Sequence, residues 1–186
     1  MNLIRSKIMK KVIAFMVTLV IFTACGTTAG SVGGNLTKEQ RKELVAQEVT
    51  HRLNSCHYKI AVNFMTPLRG GGRRYVNGGY SLEVKGDTVR SYLPYFGNVY
   101  RATMGQQKAL NFDAAIYNYE VKRSGKNAVQ VFFFTETEED RYQYQIDIYS
   151  NGRAYITVLA QNRDGITFDG DMELTPLKGV EMKQGN

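Results

Sequence analysis

Apolar and polar residues alternate with a period of two from Tyr58 onward, whereas the segment before it repeats every three to four residues. That pattern predicts one helix followed by a long run of strands. Thr37 and Gln40 stand where a capping box opens a helix, and Val45, Val49, Leu53 and Cys56 recur as one apolar stripe. On that stripe Cys56 is expected as a small buried hydrophobe. Tyr58, Ile60, Val62 and Phe64 then alternate with Lys59, Ala61, Asn63 and Met65. Tyr80, Leu82 and Val84 lead through Gly86-Asp87 to Val89 and Leu93, a hairpin. Tyr117, Tyr119 and Val121 face Val129, Val131 and Phe133 across a Ser124-Gly125-Lys126 turn. Tyr142, Tyr144, Ile146 and Ile148 alternate without exception, and Ala154, Ile156, Val158, Ala160, Ile166, Phe168 and Met172 continue the apolar face.

Turn chemistry sharpens the register. A two-residue Asn151-Gly152 loop would pair Ile148 with Tyr155 and Asp147 with Ile156, mixing polar and apolar residues on both faces. A three-residue Ser150-Asn151-Gly152 loop pairs Ile148 with Ala154 and Ile146 with Ile156. The same logic selects Arg163-Asp164-Gly165 for the next turn and pairs Ala160 with Phe168, with a left-handed Gly closing each loop. The fold class expected is α+β: an N-terminal helix packed on a strongly curved antiparallel meander sheet, or a partly closed barrel, of about eight strands. A sheet of that length must twist and curl, which favours the helix on its concave side. A two-sheet sandwich is the competing architecture.

The first 24 residues follow a different pattern. Arg5, Lys7, Lys10 and Lys11 carry the only charges, and residues 12–22 are apolar except for Thr18. Eleven residues of helix rise about 16 Å, half a bilayer core, so the run is the length of a secretory signal and too short to span. Met9-Lys10-Lys11 would itself start a normal signal. Phe22-Thr23-Ala24-Cys25 resembles a lipobox, in which the Cys25 thiol takes a diacylglycerol before cleavage on its amino side. An ordinary signal with a free Cys25 is the plainer alternative. The predicted organisation is a lipoprotein signal peptide at 1–24, a lipidated flexible tether at 25–36 and one α+β domain at 37–186. The tether contains Gly, Ser, Thr, Asn and Ala and carries no charge.

Composition changes the picture in two places. The formal charge of +7 includes four basic residues of the signal, and without them 20 basic residues face 17 acidic ones. A net +3 is ordinary solubility and excludes a nucleic-acid footprint. Of the two cysteines, Cys25 is taken by lipid, which leaves Cys56 without an intramolecular partner. A Cys25–Cys56 disulfide would require that lipidation fail.

Few residues suggest chemistry. Arg69-Gly70-Gly71-Gly72-Arg73-Arg74 could hold an anion on glycine-freed amides, with Arg69, Arg73 and Arg74 behind them. It lacks the Lys-Ser/Thr of a phosphate loop and the strand-to-helix setting, and a solvated connection is the plainer account. Asn162, Asp164, Gly165 and Asp171 fail the spacing and flanks of a calcium loop. His51, Cys56 and His57 do not share a helix face, so no metal is expected. Glu136, Glu138, Glu139 and Asp140 read as a wet hairpin tip, with no acid–base partner to make them catalytic. No cofactor is implied.

Leu93-Pro94-Tyr95-Phe96-Gly97 is different, because Pro94 cannot donate to a central ladder and two adjacent aromatics follow it. Tyr95, Phe96 and Tyr100 are the candidate binding or interaction residues. The stretch from Leu93 to Gly97 with Tyr100, Ser150-Asn151-Gly152-Arg153-Ala154, Asn162-Arg163 and Phe168-Asp169-Gly170 together resemble the domain of unknown function 4251 family, exported lipoproteins of Gram-negative bacteria. The resemblance covers roughly residues 40–174 and implies an envelope location without supplying catalytic residues. The functional expectation is a non-enzymatic binding module for an apolar small molecule held inside the curved sheet, with a protein–protein or structural envelope module as the alternative and a hydrolytic enzyme behind both. Its expected partners are the membrane, through lipid on Cys25, and an apolar ligand or envelope protein. Gly26 after the cysteine and the absence of acids before Lys38 point to the outer membrane with the domain facing the periplasm.

Overall fold

The computed structural model describes residues 36–100, 110–125 and 127–174. The expected signal, Cys25 and nearly all of the tether lie outside the described residues. Helix α1 (Lys38–Asn54) opens with the expected capping box, in which Gln40 N donates to the Thr37 hydroxyl at 3.2 Å and Thr37 N donates to the Gln40 side chain at 2.9 Å. Nine strands follow: β1 (His57–Pro67), β2 (Arg74–Tyr75), β3 (Ser81–Lys85), β4 (Thr88–Leu93), β5 (Leu110–Ser124), β6 (Ala128–Glu136), β7 (Arg141–Tyr149), β8 (Arg153–Ala160) and β9 (Ile166–Met172).

The strands hydrogen-bond in the order β2-β1-β3-β4-β5-β6-β7-β8-β9, and β9 pairs back onto β1. Eight antiparallel strands therefore form a closed barrel, with the short β2 added along β1. The expected partly closed barrel closes fully, which leaves neither an open concave face nor a second sheet. Closure depends on one small residue. A bulge in β1 between Val62 and Phe64 brings the backbone of Ala61 against Gly170, and a Cβ on Gly170 would overlap the Ala61 carbonyl.

With the barrel closed, α1 packs across one end of it instead of on a concave side. Val49 and Leu53 are buried and share a depression with Val129, Ile148 and Ser150, where the β5–β6 and β7–β8 turns emerge. This end is the base, and the opposite end is the mouth. The helix stops at Asn54 with Ser55 as its cap. Cys56 lies beyond it in a left-handed conformation (φ 49°) and is only half-buried. It thus leaves the apolar stripe it was expected to complete.

The interior is occupied by side chains. Phe133, Tyr142, Tyr144, Ile146, Ile156 and Phe168 are among the fully buried residues. Phe133 stacks on Tyr144 with centroids 4.9 Å apart and on Tyr119 at 6.2 Å. The buried Tyr144 hydroxyl donates to Ser91 Oγ at 3.1 Å, which donates to the Leu110 carbonyl at 2.7 Å. A phenol can be buried this deeply only with such a partner.

Two registers differ from expectation. Ile148 does pair with Ala154 and Ile146 with Ile156, with Gly152 left-handed (φ 87°), as the three-residue turn requires. The next turn is longer: Val158 pairs with Ile166 and Ile156 with Phe168, so Ala160 has no β9 partner, and Gly165 is not left-handed. The loop is extended because its backbone and side chains bond across the mouth. On β5, Asn118 adopts φ 53° within a bulge and breaks the alternation. Tyr119 turns inward while Tyr117 and Val121 are exposed, so the expected stripe of three contributes one residue to the core.

Candidate functional site

The mouth gathers the segment after β4, the β6–β7 turn, the β8–β9 loop and the arginine-glycine loop before β2. Two polar clusters hold these together. In the first, the Asp140 side chain is wholly buried. It accepts from Arg141 N at 2.9 Å, Gln161 N at 3.1 Å, Asn162 N at 3.1 Å and Arg163 Nε at 3.1 Å. Thr137 Oγ1 accepts from the amides of Glu139 and Asp140, both at 3.2 Å, and so shapes the turn that aims the carboxylate inward. Arg163 is 5% exposed, bonds Glu139 at 3.3 Å and lies over the rings of Tyr95 and Tyr142 at 5.4 and 5.6 Å. Burial opposes its charge, but the surrounding Tyr142, Asp140 and Glu139 outweigh that and hold the guanidinium protonated. The acidic run expected as a wet tip is therefore divided, with Asp140 built into the fold.

The second cluster centres on Asp164, also buried. Its carboxylate accepts from Asn98 N at 3.1 Å, from Asn98 Nδ2 at 2.9 Å and from the Tyr100 hydroxyl, with Arg69 at 3.6 Å. The Tyr95 hydroxyl is shared between the carbonyls of Asn98 at 2.9 Å and Asp164 at 3.1 Å. Backbone bonds from Asp164 N to Asn98 O and from Tyr100 N to Asn162 O complete the clamp, at 3.0 and 2.7 Å. The Tyr100 bond, with Asn98 and Arg69, holds the Asp164 carboxyl below its usual range against the effect of burial. That same bond raises the Tyr100 hydroxyl, and burial raises that of Tyr95. Acid and phenols are thus pushed apart, each kept in the protonation state that makes the bond. Proton transfer near neutrality needs the opposite.

The sequence candidates converge here. Arg69, reached through the glycine loop, donates to Tyr100 Oη at 3.0 Å. Arg74 lies over the Phe96 ring at 3.8 Å. Arg73 sits apart, over Phe64 at 3.6 Å and bonded to Asp169 at 3.2 Å. Two segments predicted separately, one as an anion loop and one as an aromatic surface, thus form a single face, and its arginines engage rings and carboxylates. Phe96 is 48% exposed and Tyr100 55%, with Leu68 and Leu159 also exposed on either side of Gly165. Tyr95 is instead half-buried in the clamp. Sequence reasoning missed Asn98, Asp140, Arg163 and Asp164. The signal available was Thr137 three residues before Asp140, the spacing of a side-chain-closed turn. Among the described residues no group of three or more His, Cys, Asp and Glu side chains is placed to hold a metal ion.

Fold and site together define a side-chain-filled, eight-stranded antiparallel barrel, covered at its base by a helix and clamped at its mouth by two buried carboxylates. The sequence pattern of the domain of unknown function DUF4251 matches residues 40–172, and the chain belongs to that family. The crystal structure of a DUF4251 family protein from Bacteroides eggerthii is similar in fold, with a TM-score of 0.54 at 10% identity, over 70% of this chain and 88% of that one. No curated protein matches the chain.

Proposed function

We propose that this protein is a non-enzymatic interaction module of the cell envelope, lipid-anchored at Cys25 after removal of residues 1–24, which binds a protein partner through its mouth. The filled interior carries this reading. An apolar carrier needs a cavity that encloses most of its ligand, whereas here the buried Phe133 and Tyr144 stack on each other and Tyr119 stacks on Phe133. Contact is therefore left to the outer surface. At the mouth, Phe96, Tyr100, Leu68 and Leu159 present apolar area beside Arg69 and Arg74, the residue types that dominate protein interfaces. The clamp beneath holds that surface in shape before binding, which lowers the entropy lost on association. The lipobox and uncharged tether support outer-membrane anchoring with the domain facing the periplasm.

The test is a photo-crosslinking amino acid placed at Phe96 or Tyr100 in living cells, with Tyr155 near the base as control. Adducts of one discrete mass from the mouth positions and none from Tyr155 are expected. Equal adducts from all three, or a stoichiometric apolar molecule released from the purified chain besides its own anchor, would overturn the reading.

A further inference from the structure

Strand β5 changes partner part-way along its length. Residues 110–115 pair with β4, and the ladder with β6 begins only at Ile116. The Ile116 amide donates toward β4, to the Asp87 carbonyl at 2.7 Å. Backbone directions alternate along a strand, so Phe112 and Ala114 also face β4, while Asn111 and Asp113 turn their amides and carbonyls to the other edge. There β6 has already ended at Glu136, and the chain turns away through residues 137–140 into β7. The result is a window of about 460 Å³ in the barrel wall, lined by residues 111–115, residues 136–139 and Tyr142. Phe112 and Tyr142, stacked with centroids 4.9 Å apart, close it on the inside.

We propose that this window receives an extended peptide of alternating basic and apolar side chains, added as a short strand along the edge of β5 that is uncovered among the described residues. An added strand would take up the outward amides and carbonyls of Asn111 and Asp113. Its alternate side chains would fall on the Phe112–Tyr142 stack and, on the other face, beside the rim. Charge selects the occupant. Four carboxylates, Asp113, Glu136, Glu138 and Glu139, stand in the lining, with no lysine or arginine among the lining residues. Asp113 and Glu136 pair with Arg90 and Arg141, whose side chains are 65% and 61% exposed, and Glu139 pairs with the buried Arg163. Glu138 has no ion-pair partner among the described residues. A second copy of this chain fits poorly, since pairing the two edges would set Asp113 and its neighbours against like charges. The window shares the β6–β7 turn with the mouth but none of the exposed rings there, and the inference does not depend on the reading given to those rings.

The probe is a six-residue peptide of alternating lysine and valine, compared with its glutamate–valine counterpart, against the full chain in neutral detergent. Amide hydrogen exchange and chemical-shift mapping give the readout. The lysine peptide is expected to slow exchange at Asn111 and Asp113, to bind more weakly as salt rises, and to lose about fivefold in affinity in Glu138→Lys. The glutamate peptide should leave those amides unchanged. If neither peptide protects them at millimolar concentration, if both do equally, or if shifts map elsewhere, the proposal falls. Protection that grows with protein concentration alone, alongside a dimer in sedimentation, would overturn it in favour of self-association.

Discussion

Removing Asp140 is expected to be among the most damaging single polar substitutions in the barrel, although it lies in a segment whose composition reads as a loop tip. Its carboxylate accepts from the amides of Arg141, Gln161 and Asn162 and from the buried guanidinium of Arg163. Asp140→Ala strands three backbone donors and takes from Arg163 the carboxylate that its Nε donates to. Breaking a buried pair from one side costs about 3–5 kcal/mol, a large part of the roughly 5–15 kcal/mol that holds a domain folded. Arg163→Met should cost less, about 1–3 kcal/mol, because Asp140 keeps its three amide donors. The double variant should fall short of the sum of the two by about 1.5–3 kcal/mol, since both remove the same bond. Urea unfolding gives these numbers from tyrosine emission, which is unobscured in a chain with twelve tyrosines and no tryptophan. At a slope of about 2 kcal/mol per molar, 4 kcal/mol moves the midpoint by about 2 M. A loss below about 1 kcal/mol for Asp140→Ala, or strict additivity in the double variant, would refute the claim that this pair ties the mouth together.

Gly170→Ala should destabilise by about 1–3 kcal/mol or more, because the new methyl overlaps the Ala61 carbonyl at the closing ladder. Gly72→Ala, with open space around it, should shift the same urea midpoint by less than about 0.5 kcal/mol; equal losses would remove the special role given to closure. Alkaline titration followed at 295 nm should show a late, cooperative group of tyrosines. Burial pushes Tyr142 up to about 12 and Tyr144 further, while the unfolded chain ionises near 10, so the contribution of these two tyrosines to stability is constant below about pH 10 and falls above it. Twelve tyrosines titrating together near 10 without unfolding would contradict that. The unaltered chain should take up an alkyne-tagged fatty acid and Cys25→Ser should abolish that uptake, whereas label retained in the variant would place the acyl group elsewhere.

The wall of the barrel was legible because its signals are local and strictly periodic. Tyr142, Tyr144, Ile146 and Ile148 could alternate in only one way, and the left-handed Gly152 fixed their pairing with the next strand. The helix start was equally plain, since a capping box spans three residues. What failed was non-local. Cys56 continues the helical spacing, but the helix ends at Asn54, two residues short of it, and the chain enters β1. Asn118 carries no signature that distinguishes a bulge from an ordinary strand position, yet the bulge shifts the alternation so that Tyr119 turns inward after an outward Tyr117. At the mouth, Arg163 and Asp164 look like any charged turn, because Asp140 and Asn98, which bury them, are 23 and 66 residues away. Tyr95, Phe96 and Tyr100 were found by a proline and a cluster of rings, while the carboxylate that holds Tyr100 in place was not.

The placement of charge separates the surfaces of this barrel by what each can do. Asp140 and Asp164 are buried and satisfied by several donors each, so their charge is spent within the fold and offers nothing to a partner. The exposed rings above Asp164 keep their apolar area free, and Arg74 is held over Phe96 by the ring itself. That is a surface suited to burying another protein, because ring and guanidinium are already arranged in the free state. Around the β5 window the order is reversed. The rings are inside, the carboxylates stand at the rim, and the amides and carbonyls of Asn111 and Asp113 turn to an edge that no strand among the described residues covers. Such an edge is usually guarded against other strands by its charges, and the same charges would admit a strand of opposite sign. The barrel thus offers two unlike outer faces, one suited in shape to a protein partner and the other to an extended basic strand, and substitutions at Phe96 and Glu138 should affect binding at each independently.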